Sequence, residues 1–225
     1  ALLLTAGEPV EIERLVGFLW PNKQPRDTAH AVRTHVMRLR RHIGPELIAT
    51  SPGAYTVEVA PETVDAHRFD RAVGAATASL VERQLSLAEA RLNDALRIWH
   101  HGAPWIDLAG SAAGDAERAR LVEERLEAEE RLAAVRLCLH RSPLDQIEKL
   151  ALEKPLRESR WLLLMLALAG AGEQARALRH YASLRSHLRD ELGLDPDRRL
   201  QDMEHRILRQ DPTLSEMDPL SLVFG

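Results

Sequence analysis

The 225-residue sequence predicts a mainly α-helical chain made of a helix-turn-helix head with a β-hairpin and an all-α helical body. Three observations predict this organisation. Apolar residues recur at helical spacing over most of the chain. Residues 47–59 change to short strand-like runs around the turn Ser51-Pro52-Gly53. Beyond residue 60 the pattern is helical again, and it contains traces of an internal repeat.

The first part of the head is expected to contain two helices. Ala1–Ala6 has the pattern of the end of a helix, which Gly7 closes, and sequence is expected to precede it in the intact protein. Val10–Trp20 is predicted to form the next helix. This helix would bury one apolar face, made of Ile12, Leu15, Val16 and Leu19.

A third helix is predicted over Thr28–Ile43, after a loop at Pro21–Asp27 that prolines bracket. Asp27 or Thr28 is expected to be its N-cap, because a short side-chain oxygen can accept from otherwise free backbone N–H groups. Gly44, followed by a proline, is expected to end it.

The Thr28–Ile43 helix is predicted to have two chemically different faces. Its apolar stripe consists of Val32, Val36, Leu39 and Ile43. The opposite side contains His30, Thr34, Met37, Arg38 and Arg41, flanked by Arg33 and Arg40. Guanidinium groups can reach guanine or phosphate oxygens, and threonine and methionine can contact a thymine methyl, so this face suits the DNA major groove. The alternative is a solvated charged face on an ordinary surface helix.

Residues Leu47–Thr50 and Tyr55–Val59 are predicted to form the two strands of a hairpin. The order helix, loop, basic helix and hairpin is that of a winged helix-turn-helix. In that arrangement the second helix of the motif enters the major groove, and the hairpin, or wing, reaches the adjacent backbone or minor groove. The predicted wing contacts to DNA are Thr50, Ser51 and Thr56.

Charge is distributed unevenly along the chain. Residues 1–45 contain seven Lys and Arg against four acidic residues, a net charge of +3, which leaves −7 for the rest of a chain whose formal charge is −4. A basic head on an acidic body gives DNA contact a preferred orientation. No run approaches the roughly 18 apolar residues of a membrane span. We therefore expect a cytoplasmic protein with no membrane partner.

The sequence does not favour an enzyme. It has no Gly-x-x-x-x-Gly-Lys, Gly-x-Gly-x-x-Gly, Gly-x-Ser-x-Gly or His-Glu-x-x-His motif. Neither a metal nor a cofactor is expected. The single cysteine, Cys138, is expected to be a small buried apolar residue. The acidic residues of Glu123–Glu130 alternate with Arg125 and Arg131, which predicts a solvated salt-bridge face.

The body is predicted to consist of paired helices, at 65–80, 84–99, 115–141, 143–152, 157–170, 173–192 and 197–209, with an irregular loop at 102–110. One segment matches a tetratricopeptide unit through Trp161, Leu164, Leu168, Ala177 and Tyr181. Fainter echoes of the unit occur at Ala88, Leu92 and Ala95, and at Ile147, Leu150 and Pro155. A generic helical bundle remains the alternative. Either array is expected to provide binding surfaces rather than chemistry.

Several of these segments resemble one family, the Streptomyces antibiotic regulatory proteins (the AfsR type). The head segment is LVGFLWPNKQPRDTAHAVRTHVMRLRRHIG, and the wing with the entry to the body is SPGAYTVEV…VDAHRFD. The most specific segment is KPLRESRWLLLMLALAGAGEQARALRHYASLRSHLRDELGLDPDRRLQDMEHRILRQDP. The similarity extends over about Ala1–Pro212.

The resemblance implies an OmpR-type winged helix over residues 1–60, whose N-terminal β-sheet is missing from this chain. A bacterial transcriptional activator domain with tetratricopeptide-like helices would follow over 61–212, and then a tail or linker over 213–225. Where this chain has Gly53-Ala54-Tyr55-Thr56, the family has Gly-Tyr-Arg. A wing contact through that arginine is therefore lacking, and Tyr55 is expected to pack.

The resemblance also implies a function, a transcription activator that binds direct repeats near a promoter and recruits RNA polymerase. Such a protein would be a homodimer, at least on DNA. On the basic helix, Arg33 and Arg38 are expected to approach base edges, Arg40 and Arg41 to hold phosphates, and His30 to donate to a phosphate. The loop residues expected to face polymerase are Lys23, Gln24 and Arg26. The alternative is a helical interaction module of a larger regulator, with a non-functional DNA-binding head.

Overall fold

The protein was analysed as a computed structural model, which describes residues 2–99, 104, 110–141 and 144–224. The chain divides into two compact units. The first contains residues 1–74 and 94–126, and the second contains residues 75–93 and 127–225. The predicted division at residue 60 stays a prediction. The loop expected at 102–110 lies largely outside the described residues.

The first unit contains the predicted head. Its elements are a 3₁₀ turn at Leu2–Thr5, strand β1 at Val10–Glu11, helices α1 at Ile12–Leu19 and α2 at Thr28–Ile43, and strands β2 at Ile48–Ser51 and β3 at Ala54–Val57. A further 3₁₀ turn, Pro45–Leu47, connects α2 to β2. The three strands form an antiparallel sheet in the order β1-β3-β2. The hairpin and the basic helix are therefore confirmed.

Two predictions for the start of the chain are wrong. Where the end of a helix was expected at Ala1–Ala6, residues Leu2–Thr5 form a 3₁₀ turn, and Val10 and Glu11 belong to β1 rather than to the following helix. Val10 lies opposite Tyr55 in the sheet and is buried. A β-branched residue suits this half-buried pleated position, but its strand partner lies 45 residues away and leaves no local signal.

The apolar faces of the two head helices are partly corrected. Val32 and Val36 are buried in a core with Leu15, Val16 and Tyr55, whereas Leu39 and Ile43 are each 41% exposed. In α1, Phe18 is buried and Leu19 is exposed. The stripes therefore have the predicted helical spacing, but the core of the unit covers only part of each.

The remaining helices follow the predicted order, with ends shifted by a few residues. They are α3 at Asp65–Val81, α4 at Leu85–Arg97, α5 at Ala112–Cys138, α6 at Leu144–Glu153, α7 at Glu158–Gly170, α8 at Gln174–Leu192 and α9 at Arg198–Leu208. A 3₁₀ turn at Pro61–Thr63 precedes α3. Among the described residues, none of these helices is both long and apolar enough to cross a bilayer.

Helix α7 forms the centre of the second unit. Every residue from Arg160 to Leu168 is buried, as expected for a helix that is apolar on nearly all sides. The five residues of the tetratricopeptide match are all buried in this core, and the indole N–H of Trp161 donates to the Pro155 carbonyl at 2.8 Å. Ala177 and Tyr181 of α8 pack in the same core as α7.

The solvated salt-bridge face predicted for Glu123–Glu130 is wrong at its last residue. Glu130 is 1% exposed and accepts from Arg160, Arg157 and Ser159. The sequence does not reveal this, because the positive partners lie about 30 residues away, at the start of α7.

The tail or linker expected over residues 213–225 is also folded as far as residue 224. It forms a 3₁₀ helix at Pro212–Glu216 and helix α10 at Pro219–Phe224. Leu214 and Val223 are buried in the core that surrounds α7. This segment is therefore part of the second unit.

Candidate nucleic-acid interface

The position of the basic helix α2 follows from its two ends and its buried side. Asp27 is the N-cap, and its carboxylate accepts from the backbone N–H of His30 at 2.9 Å. Gly44 ends the helix with a φ of +106°, a conformation that side chains rarely adopt. Val32 and Val36 fix one side in the core. The opposite side of α2 is exposed to solvent.

That outer side contains most of the predicted DNA contacts. His30, Arg33, Arg38 and Arg41 are exposed, and Met37 is 50% exposed. Thr34 is half-buried, and its hydroxyl donates to the His30 carbonyl at 3.0 Å. This internal bond uses the hydroxyl hydrogen, so Thr34 can offer a partner its methyl group and an accepting oxygen.

The arginines of this face lack the ion pairs that most arginines of the chain make. Among the helices that follow the hairpin, Arg120 pairs with Asp70, Arg176 with Glu173, and Arg206 with Asp211. Within the described residues, no carboxylate lies at ion-pairing distance from Arg33, Arg38 or Arg41. Their guanidinium donors therefore stay available for an external anion or for base edges.

Arg40 differs from its neighbours on α2. It is half-buried, and its Nε donates to the carbonyl oxygen of Ile48 at 3.2 Å. Its Nη2 donates to the same oxygen at 2.5 Å and to the Thr50 hydroxyl at 2.7 Å. The guanidinium predicted to hold phosphate is thus bonded to strand β2.

The wing presents a small polar tip. Thr50 and Ser51 are exposed and Thr56 is half-buried, while Gly53 forms the turn with a φ of +74°. Tyr55 is buried in the core of the unit, so the expectation that it packs is confirmed. The Ser51 hydroxyl donates to the Ala54 carbonyl at 3.5 Å, a long bond within the hairpin.

The loop between α1 and α2 is accessible. Lys23, Gln24 and Arg26, the predicted polymerase contacts, are all exposed. The ring of His35 lies near that of Trp20, with their centroids 5.7 Å apart, a contact that was not predicted. A tryptophan and a histidine 15 residues apart have no recognisable spacing, so only the folded loop reveals this pair.

Two features bear on metal binding and on cysteine chemistry in the described part of the chain. No group of three or more His, Cys, Asp or Glu side chains there could hold a metal ion. Cys138 is half-buried, and this burial, together with the nearby Asp218 carboxylate, raises the pKa of its thiol to about 11. At neutral pH the thiol is therefore protonated and weakly nucleophilic.

Comparison with known proteins gives consistent results. Residues 64–208 match the bacterial transcriptional activator domain family. The chain is 32% identical to regulatory protein DnrI of Streptomyces peucetius, over 97% of this chain and 85% of that protein. It is 36% identical to regulatory protein AfsR of Streptomyces coelicolor, over 96% of this chain but 22% of that protein.

Among solved structures, the chain is similar to Mycobacterium tuberculosis EmbR in complex with a low affinity phosphopeptide. The TM-score is 0.88 at 26% identity, and the match covers 98% of this chain and 60% of that chain. The fold and these relatives define a class, transcription regulators with an OmpR-like winged helix followed by a helical domain. Within that class, the chain belongs to the Streptomyces antibiotic regulatory protein family.

Proposed function

We propose that this chain is a sequence-specific DNA-binding transcription activator, which inserts α2 into the major groove and places the wing beside it. The main support is the outer face of α2, where Arg33, Arg38 and Arg41 are exposed without a carboxylate partner among the described residues. Arginines without an ion pair, on a helix that lies next to a β-hairpin, are suited to bind DNA, because DNA offers both phosphates and base edges that accept hydrogen bonds.

The side chains of α2 divide into two groups by what they would contact. Arg33 and Arg38 approach base edges, and Met37 and the Thr34 methyl contact thymine methyls. Arg41 and His30 contact phosphates, which fix the register of the helix on the duplex. His30 lies in the first turn of α2, and its exposed ring can donate to a phosphate oxygen.

The remaining part of the proposal rests on the family and on exposure. We infer that the protein binds direct repeats as a homodimer on DNA and recruits RNA polymerase, with the Pro21–Asp27 loop on the polymerase side. Lys23, Gln24 and Arg26 are exposed there. DnrI and AfsR are named regulatory proteins, which agrees with this role.

Selection of bound fragments from random DNA tests the proposal. The wild-type protein is compared with a variant in which Arg33, Arg38 and Arg41 are all changed to Ala. We expect the wild type to enrich a repeated motif and the variant to lose that enrichment. The variant lacks the guanidinium donors that would contact base edges and phosphates, while the buried side of α2 is unchanged.

A matched control variant removes three positive charges from the helices that follow the hairpin. Arg179 of α8, Arg198 at the start of α9 and Arg209 just after α9 are exposed, and their change to Ala should leave the motif intact. Equal loss in both triple variants would indicate a nonspecific charge effect. If the folded wild type enriches no motif, the DNA-binding proposal is wrong, and a helical interaction module with a non-functional head becomes the better description.

A further inference from the structure

One arginine of α2 is bonded within the protein, whereas its neighbour makes no ion pair with any described residue. Arg40 makes three hydrogen bonds, two to the Ile48 carbonyl and one to the Thr50 hydroxyl. Arg41 is exposed and has no carboxylate partner in the described part of the chain. Both were expected to hold phosphates, so the structure separates two residues that the sequence treats alike.

The position of Ile48 explains why it needs this partner. Strand β2 is at the edge of the sheet, since the strand order is β1-β3-β2. The Leu47 carbonyl accepts from the backbone N–H of Glu58 on the β3 side. In an antiparallel pair the backbone groups alternate in direction, so the Ile48 carbonyl points away from β3. Arg40 satisfies this open-edge acceptor with two N–H groups.

The bond to Thr50 has a chemical consequence for DNA contact. A hydroxyl has one hydrogen to donate and can accept two bonds. Because the Thr50 oxygen accepts from the cationic Arg40, its own hydrogen must point elsewhere, and Thr50 is exposed at the wing. The hydroxyl is therefore arranged as a donor toward solvent, where a phosphate oxygen would lie.

We propose that Arg40 is a positioning residue for DNA binding, which fixes the wing against α2 and orients the Thr50 hydroxyl as a phosphate donor. This inference rests on the proposed function. It assigns to Arg40 an action through the wing, in place of a direct phosphate contact. The planar guanidinium of arginine is required, because a single side chain must donate to the Ile48 carbonyl and to the Thr50 hydroxyl at the same time.

The test compares Arg40→Gln with Arg41→Gln, which remove the same charge from adjacent positions. Affinity for the selected DNA site is measured over a range of salt concentrations. Each phosphate that a lysine or arginine no longer neutralises reduces the slope of log affinity against log salt by about 0.9, whereas the loss of a neutral hydroxyl donor leaves the slope unchanged. We expect Arg41→Gln to reduce the slope by about that amount and Arg40→Gln to leave it near the wild-type value, with about a tenfold loss of affinity.

Three further measurements separate positioning from a general structural effect. Arg40→Lys keeps the charge without the fork and should not restore binding. Thr50→Val should cost about as much as Arg40→Gln, and the double variant little more than either, because both changes remove one coupled contact. On a duplex too short to reach the wing, Arg40→Gln should bind like the wild type. Thermal unfolding confirms that each variant is folded.

The outcomes distinguish this inference from the proposed function. If Arg40→Gln reduces the salt slope as much as Arg41→Gln, or if Arg40→Lys binds like the wild type, Arg40 contacts phosphate directly and the positioning role is wrong. Additive costs for Arg40→Gln and Thr50→Val would overturn the coupling. If the wild type shows no salt-dependent, sequence-selective binding, the proposed function itself fails, and the positioning role fails with it.

Discussion

Glu130 and Arg160 show how strongly the surroundings determine what a charged residue does in this chain. Both are 1% exposed, and the Arg160 Nε lies 3.0 Å from a Glu130 carboxylate oxygen. Arg157 and Ser159 donate to the same carboxylate, and Arg160 also donates to the Leu150 carbonyl at 3.0 Å. The network connects α5 and α6 to the start of α7 and leaves no buried charge without a partner.

We predict that Glu130→Gln lowers the free energy of unfolding by about 3 kcal/mol, because Arg157 and Arg160 lose the buried carboxylate that they share and Arg160 keeps only Glu129 among the described carboxylates, at 2.8 Å. Glu127→Gln is the control, since Glu127 pairs with Arg131 on the same helix and its side chain is 40% exposed. This partly solvated pair should contribute less than about 1 kcal/mol. Denaturant unfolding measures both, and similar small losses would show that the buried network contributes little to stability.

Two helices of the described chain, α2 and α9, begin at a capping aspartate. Asp27 begins α2 and Asp197 begins α9, and each carboxylate accepts from a backbone N–H at 2.9 Å. The N-cap satisfies one of the four backbone donors that a helix leaves free at its start. In α2 the cap also fixes where the helix begins, and with it the position of His30.

We predict that Asp27→Ala destabilises the first unit by about 1 kcal/mol, because the cap bond to His30 is lost. Asp27→Ser keeps a capping oxygen and should retain most of the stability. Thermal unfolding followed by circular dichroism measures the difference. Equal melting temperatures for the alanine and serine variants would contradict a stabilising role for this cap.

At the scale of the whole chain, residues 218–224 are packed into the second unit. Arg83 pairs with Asp218 at 2.7 Å, and Arg199 donates to the Val223 carbonyl at 3.2 Å. The Arg131 guanidinium carbon lies 5.6 Å from the centroid of the Phe224 ring. Cationic side chains from three separate segments thus hold residues 218–224 on the core of the second unit.

We predict that Val223→Asp destabilises the second unit by at least about 2 kcal/mol, because a carboxylate would enter an apolar core without a partner. Ser215→Asp adds the same charge to the same segment at an exposed position and should change stability little. Denaturant unfolding and binding of a hydrophobic dye measure the effect. A wild-type-like response of Val223→Asp would mean that this segment is not a stable part of the core.

Local signals in the sequence were enough to identify most helices, the hairpin, the basic face of α2 and a cap at Asp27 or Thr28. Helical periodicity, capping and turn preferences act between residues a few positions apart, so they are visible in the sequence. The motif around Trp161 and Tyr181 likewise indicated the tetratricopeptide-like pair, and the conjunction of segments indicated the family.

Other properties depend on residues that are distant in sequence, and only folding brings these together. The β1 strand requires Tyr55 opposite Val10, and the burial of Glu130 requires Arg160. Arg40 looks the same as Arg41 in the sequence, yet it bonds the open edge of β2. The free energy of a buried charge or an edge carbonyl depends on its partners in space, and periodicity along the chain contains no information about them.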